Sequence, residues 1–328
     1  MLKFYIIDNE KLQEIDHANA SHYRPQLVWI DLHEPTSTER QCVETLLEQT
    51  LPTQQEMHEL ELSSRLHIKH GVLTTTATII SKADTTEPVV DPISFMLIQG
   101  CLITIRYVDP MPFHKFLART DKYDVSSFRG NNILVGLMEA IVFRLADILE
   151  ITGRRIDATT YRIFRPASEA KKSKPKEKPD FESILQEIGV NGDLVSKTRE
   201  SLVSVTRLLS FVAQTQYFQA DAELYDKVQL ILKDIPSLSD HASFLSGKVS
   251  FLLDATLGMV NITQNSIIKI FSVAAVVFLP PTLIASIYGM NFDFLPELKL
   301  HLGYPLAIGL MVLSSYLPYR YFKWKGWL

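Results

Sequence analysis

The run IFSVAAVVFLPPTLIASIYGMN, Ile270 to Asn291, decides how this chain is read. Its first nineteen residues, Ile270 to Tyr288, carry no charged side chain. At ~1.5 Å per residue a helix of that length reaches nearly ~30 Å, the hydrocarbon thickness of a bilayer. Its place late in the chain is not that of a signal peptide. A buried helix of a soluble core would have the same composition. Against that reading stands a second charge-free run, Leu302 to Tyr319, followed at once by Arg320, Lys323 and Lys325. Two such runs a short loop apart read as a transmembrane hairpin.

The end of the first run carries a signature. Tyr288-Gly289-Met290-Asn291 is followed by Phe294-Leu295-Pro296-Glu297-Leu298 and then by Gly303-Tyr304-Pro305. This pattern resembles the CorA family of magnesium transporters, in which YGMN closes the first membrane helix and an MPEL loop precedes the second. Here Leu295 stands in place of the usual Met, and the Glu is kept. FLPPT, Phe278 to Thr282, and the terminal FKWKGWL resemble the proteobacterial branch. The close match covers about Ser237 to Leu328; upstream the likeness is one of length and element order.

Upstream of the run, no proline occurs between Pro236 and Pro280. Leu238, Leu245, Val249, Leu252, Thr256 and Met259 recur at spacings of 7, 4, 3, 4 and 3, an amphipathic stripe leading straight into the membrane run. A helix from Ser237 to Tyr288 would be ~78 Å long, too long to bury its stripe against a small domain alone. The spacing therefore predicts neighbouring helices, most simply copies of this one. The resemblance implies the same: a stalk helix in a funnel-shaped homopentamer.

Further upstream, Leu2 to Ile7, Leu27 to Leu32, Arg65 to Lys82 and Ile93 to Tyr107 are rich in β-branched and aromatic residues. His70-Gly71 and Gln99-Gly100 read as turns inside the last two. Glu34-Pro35 with Thr36, Ser37 and Thr38 sets up a helix over Glu39 to Gln49. Alternating strands and helices give residues 1–128 an α/β reading. After Gly130 helical spacing takes over, in two long antiparallel helices over 131–163 and 181–218, so that 129–236 form a helical part. The segment between them, 167–180, holds five lysines and two prolines. It reads as a flexible, solvated connector, and a basic run of this kind also suits anionic lipid or nucleic acid. Residues 237–290 follow as stalk and first membrane helix, 291–301 as the extracytoplasmic loop, and 302–328 as the second membrane helix with a basic tail.

One hairpin cannot enclose a pore, so an ion path must form between subunits. The resemblance places Asn265, Ile268, Phe271, Ala275, Leu279, Thr282, Ser286 and Asn291 on its lining face, with Gly289, Met290 and Asn291 as its selective mouth. Those positions are polar at both ends and apolar in the middle. Magnesium keeps its water shell, so uncharged oxygens suit the hydrated ion better than a charged cage. Asn291 also suits a helix C-cap. Pro280-Pro281 removes the donors for the carbonyls of Val276 and Val277, which makes a structural kink or a gating hinge. Glu297 raises local cation concentration through its field, or is a plain loop acid. The family senses cytosolic magnesium through acids between one subunit's domain and the next subunit's stalk. The candidates here are Asp84, Glu87 and Asp91 facing Asp234 or Asp240.

Composition limits the alternatives. A mean hydropathy of +0.07 fits two spans plus an aqueous domain. A net charge of −4 argues against a nucleic-acid partner. Cys42 and Cys101 form no pattern, which fits a reducing cytosol. The positive tail after the second run, against Asp293 and Glu297 in the loop, puts both termini in the cytosol; the resemblance implies a multi-pass protein of the bacterial inner membrane. His67 and His70 do not share a strand face, and no GxSxG, HExxH or phosphate-binding glycine loop occurs, so an enzyme and an organic cofactor are not expected. Magnesium is the expected cargo and regulator, the protein itself and membrane lipid the expected partners. Cobalt, nickel or zinc transport, and a membrane-anchored receptor, are the remaining alternatives.

Overall fold

The computed structural model describes the chain except residues 9–10, 17–19, 21, 60, 62–64, 86, 121–128, 165–179, 291–301 and 328. It divides into a first unit, Met1–Leu252, and a second, Leu253–Leu328.

The first unit is built on a seven-stranded sheet. Its strands are β1 (Leu2–Asp8), β2 (Lys11–Ile15), β3 (Leu27–His33), β4 (Leu66–Lys69), β5 (Val72–Ser81), β6 (Val89–Ile98) and β7 (Cys101–Arg106), in the order β2-β1-β3-β7-β6-β5-β4. Only β3 and β7 pair in parallel; every other neighbour is antiparallel. The hairpin turns lie where the sequence places them. His70 and Gly71 take φ of 50° and 77°, Gln99 and Gly100 take 49° and 86°, the paired left-handed geometry that matches strand twist.

Between β3 and β4 lie α1 (Ser37–Leu47) and α2 (Gln54–His58). Both start in capping boxes, Thr36 with Glu39 and Thr53 with Glu56. They lie over a core of Phe4, Ile6, Ile30, Leu32, Val43, Met57 and Ile103. After β7 come α3 (Met111–Thr120), α4 (Gly130–Phe164) and α5 (Phe181–Ala213). All ten residues of β5 are buried. Part of its backbone is satisfied from α5: the Thr78 and Ile80 N–H groups donate to the Ser204 and Ser201 hydroxyls at 2.8 and 3.0 Å. Those serines cover an edge that the four-residue β4 leaves open.

The sheet also holds a buried ion pair. Arg106 donates from Nε and Nη2 to Asp31, at 2.9 Å for the Nη2 bond, and Thr104 donates to the same carboxylate at 2.7 Å. Burial works against the guanidinium's charge, but its bonds to Asp31 outweigh that and hold it ionised.

Three expectations are revised. The helix expected over 181–218 ends at Ala213, and a short helix α6 (Gln216–Gln219) follows, anchored by the buried Phe218. β2 has no counterpart among the expected strands, because KLQEI lacks an apolar alternation. The long helix α7 spans Ala222–Tyr288, not Ser237–Tyr288. Pro236 therefore lies inside it. An interior proline costs ~3 kcal/mol. Buried Leu224, Val228, Ile231 and Ile235, spaced 4, 3 and 4, return more than that at ~1.5–3 kcal/mol per fully buried side chain.

The predicted stripe on α7 also finds partners at home. Leu245 and Leu252 are buried within the chain. Leu245 lies beside Gly153 of α4 and Val249 beside Gly192 of α5. Phe251 stacks on Phe164 at 6.1 Å, and Lys248 pairs with Asp157. This part of the stripe thus needs no second copy to be covered.

Candidate ion pathway

The second unit holds the end of α7 and the helix α8, Gly303–Trp324. By length and composition α7 is long and apolar enough to cross a membrane. Several of its large apolar side chains there are bare: Phe271 is 71% exposed, Phe278 69% and Leu279 66%. Such a surface demands lipid or further protein.

The pattern of exposure divides α7 into two faces. Asn265, Ile268, Phe271, Ala275, Leu279, Thr282 and Ser286 are all exposed. At 100° per residue they fall within an arc of about 120°. Val273 is buried, and Ala274, Val277, Pro280, Pro281, Ile284 and Tyr288 are half-buried. Their arc is also about 120° and is centred opposite the first. On α8 the corresponding covered positions are Gly303, Ala307, Met311, Ser314, Ser315, Pro318 and Phe322. Val277, Phe278 and Pro281 of α7 share a cleft with Met311, Val312, Ser315, Tyr316 and Tyr319 of α8. The hairpin therefore packs on one face of α7 and leaves the opposite face uncovered.

The uncovered face carries no charge. The Thr282 hydroxyl donates to the Phe278 carbonyl at 2.7 Å, and the Ser286 hydroxyl donates to that of Thr282 at 2.8 Å. With its proton committed, each hydroxyl presents only acceptor lone pairs outward. The waters around a dication present hydrogens outward, so these oxygens complement a hydrated cation. Between them and Asn265 lie four apolar positions, Ile268, Phe271, Ala275 and Leu279.

At the end of α7 the helix runs unbroken through Pro280 and Pro281 to Tyr288. Gly289 donates to the Ala285 carbonyl at 2.9 Å and Met290 to that of Ile287 at 3.3 Å. Gly289 is not among the left-handed glycines, so the helix ends without a glycine cap. A Cβ at Gly289 would lie 3.1 Å from the Ala285 carbonyl oxygen, which makes the position tight for any other residue. Asn291 and Glu297 lie outside the described residues, as does nearly all of 167–180.

The acids proposed as a sensor belong to the first unit and are placed apart by role. Asp84 accepts from Arg144 Nη2 at 2.5 Å, and that bond holds its carboxyl below the usual range. Glu87 is exposed, with its backbone N–H bonded to Thr85. Asp91 sits on β6, 3.5 Å from His58, and burial raises its pKa. Asp234 and Asp240 are exposed on α7. Among the described residues no three His, Cys, Asp or Glu side chains converge as a metal group. Sequence reasoning missed Arg144, because nothing in the local pattern links it to Asp84 sixty residues away.

Known proteins match this arrangement over its whole length. A family model described as CorA-like Mg2+ transporter protein matches residues 25–324. The magnesium transport protein CorA of Mannheimia succiniciproducens is 34% identical over 328 residues, covering 100% of both chains. That of Pasteurella multocida is 33% identical, again over 100% of both. Among solved structures, the complete CorA magnesium transporter from Methanocaldococcus jannaschii superposes with a TM-score of 0.74 at 16% identity, covering 100% of this chain and 99% of that one. At that identity the likeness is one of fold.

Proposed function

The chain belongs to the CorA family of Mg2+ transporters, a family of transport proteins and not of enzymes, and from that premise we propose that it admits magnesium through a pore shared by five copies of itself. α7 and α8 cross the bacterial inner membrane as a hairpin, with both termini in the cytosol. The uncovered face of α7, Asn265 to Ser286, lines the pore, and Gly289, Met290 and Asn291 form its outer mouth. Glu297 lies in the outer loop and raises the local cation concentration.

The observation that carries this reading is the uncharged, exposed face of α7 opposite the one that α8 covers. An exposed face polar at its ends and apolar in its middle is at home in neither lipid alone nor water alone. Facing copies of itself around an aqueous axis satisfies both parts. Inward flow then needs no ATP: an inside-negative potential favours a dication by roughly 4.6 kcal/mol per 100 mV, twice the value for one charge. Cobalt and nickel, similar in size and charge, follow the same path. Cytosolic magnesium closes it by binding acids between subunits, among Asp84, Glu87 and Asp91 of one copy and Asp234 or Asp240 of the next. Asp84 is already neutralised by Arg144, which favours the others as ligands.

The test is ion uptake into proteoliposomes under an imposed potential, with magnesium, cobalt, nickel and zinc supplied separately. Asn291→Ala abolishes magnesium uptake while the assembled particle keeps its size. Wild-type flux in a correctly assembled variant refutes the pore-mouth role, and flux of zinc alone refutes the magnesium reading in favour of a zinc carrier.

A further inference from the structure

From Ala255 to the end of the chain the only acidic side chains are Asp293 and Glu297, both between α7 and α8. The opposite end of the hairpin is basic and aromatic. Lys269 lies on α7, and Arg320, Lys323 and Lys325 lie at the end of α8 among Tyr319, Tyr321, Phe322, Trp324 and Trp327. Among the described residues none of these four cations has a carboxylate partner.

This end is built, not frayed. Gly326 takes a φ of 71°, and the Trp327 N–H donates back to the Phe322 carbonyl at 3.0 Å. That left-handed cap reverses the chain. It stacks Trp327 on Phe322 at 5.3 Å and sets the Trp327 ring 5.9 Å from Lys269 Nζ. Lys323 lies 5.9 Å over the Tyr319 ring and Lys325 lies 5.3 Å over that of Tyr321. Trp324 remains 81% exposed. The aromatic faces orient the cations but supply no counter-charge.

The platform also meets an apolar cleft. Tyr319, under Lys323, is one wall of the cleft formed with Val277, Phe278, Pro281, Val312 and Tyr316. An occupant of both must carry a hydrocarbon chain and an anion on one molecule. Trp and Tyr with cations at this depth are also the pattern of a headgroup layer. We infer that the cytosolic end of the hairpin binds an anionic phospholipid, with an acyl chain in the α7–α8 cleft and its phosphate headgroup at Lys269, Lys323 and Lys325. This rests on the reading of α7 and α8 as a membrane hairpin with a cytosolic tail.

Brominated lipids test it through tryptophan quenching. The full chain is reconstituted in phosphatidylcholine vesicles containing a fraction of either brominated phosphatidylglycerol or brominated phosphatidylcholine. Trp29 lies in the sheet core, so quenching reports Trp324 and Trp327. Phosphatidylglycerol should reach half-maximal quenching at a mole fraction lower by at least ~threefold, given the attraction of each cation for an anionic headgroup. The triple variant Lys269→Gln, Lys323→Gln, Lys325→Gln should quench equally with both lipids, and the corresponding triple Arg variant should keep the preference. Equal quenching of the wild type by both lipids overturns the inference while leaving the hairpin intact. A preference that survives in the Gln variant overturns the assignment to these lysines. Quenching by neither lipid overturns the hairpin reading itself, and the inference with it.

Discussion

Two sets of large apolar side chains in this chain meet opposite surroundings. In the first unit Trp29, Phe95, Ile93 and Leu102 are sealed between the sheet and its helices. On the last part of α7, Phe271, Phe278 and Leu279 are as apolar and are left bare. Water drives the first set together, because burying apolar area is favourable wherever water is the alternative. For the second set the alternative is not water, and the chain spends no neighbours on covering them. A hydrophobic residue thus reports its solvent through what the rest of the chain does for it. The same contrast runs within α7: Leu245 and Leu252 are packed by their own chain, and a few turns later that covering stops.

The largest expected effect lies in the sheet. Trp29 stacks on Tyr5 at 4.7 Å, and its Nε1 donates to Thr104 at 3.0 Å, which in turn holds Asp31. Trp29→Ala should cost ~3–5 kcal/mol through cavity and lost contacts. Hydrogen exchange of β3 and β7 amides in the full chain in detergent measures it. Phe278→Ala, truncating a side chain of similar class, should cost under ~1 kcal/mol by the same measurement, because little burial is lost. Comparable losses at the two sites would break the contrast and make the α7 face part of a protein core.

A smaller effect separates pore from packing on the bare face. In the proposed pore, Ile268, Phe271, Ala275 and Leu279 would put about one apolar ring per turn between the polar ends. A narrow apolar neck gates by dewetting, since a hydrated dication does not shed its shell to cross. Phe271→Ser should wet such a neck and raise magnesium leak several-fold at high internal magnesium, read in proteoliposomes. If Phe271 packs between helices instead, the variant loses oligomer and flux together.

Much of this was legible because short-range physics encodes it. The strands announce themselves by β-branched and aromatic runs, and the turns by His70-Gly71 and Gln99-Gly100, whose positive φ the structure shows. The capping box at Thr36 could be anticipated from Thr-Ser-Thr-Glu. The start of α7 was misplaced because a proline was read as a boundary, when a buried stripe on both sides carries the helix through it. β2 was invisible because an edge strand needs no apolar face. The proposed pore face owes its residues to family likeness. What no local pattern supplies is that α8 covers the opposite side, since that depends on how two helices meet. Long-range polar pairs are equally hidden: Arg106 with Asp31, and Arg144 with Asp84.

That last pair and Asp91 on β6 set the smallest test, and they divide structural from regulatory acids. Arg144 is nearly buried while Asp84 is half-exposed, so Asp84→Asn should cost only about 1 kcal/mol at neutral pH. Because the Arg144 bond lowers the folded pKa of Asp84, its contribution is complete above the unfolded value near ~4 and is lost as pH falls through the folded one. The gap between wild type and variant should therefore be flat from neutral pH downward and close only in acid. Asp91 has the opposite sign. Burial raises its folded pKa, so its ionised form weakens the fold at neutral pH, and Asp91→Asn should be neutral or stabilising there. The advantage should fade as pH falls through the raised pKa and Asp91 takes up its proton. Magnesium reverses this for a ligand but not for a plain buried acid, since a bound dication favours the carboxylate. Urea unfolding of the full chain in detergent, followed by Trp29 fluorescence with Trp324 and Trp327 replaced by Phe, reads both variants with magnesium and with EDTA. If Asp91→Asn is stabilising with EDTA and destabilising with magnesium, Asp91 belongs to the sensor. If magnesium leaves its effect unchanged, Asp91 is a structural acid and the sensor must be sought among Glu87, Asp234 and Asp240.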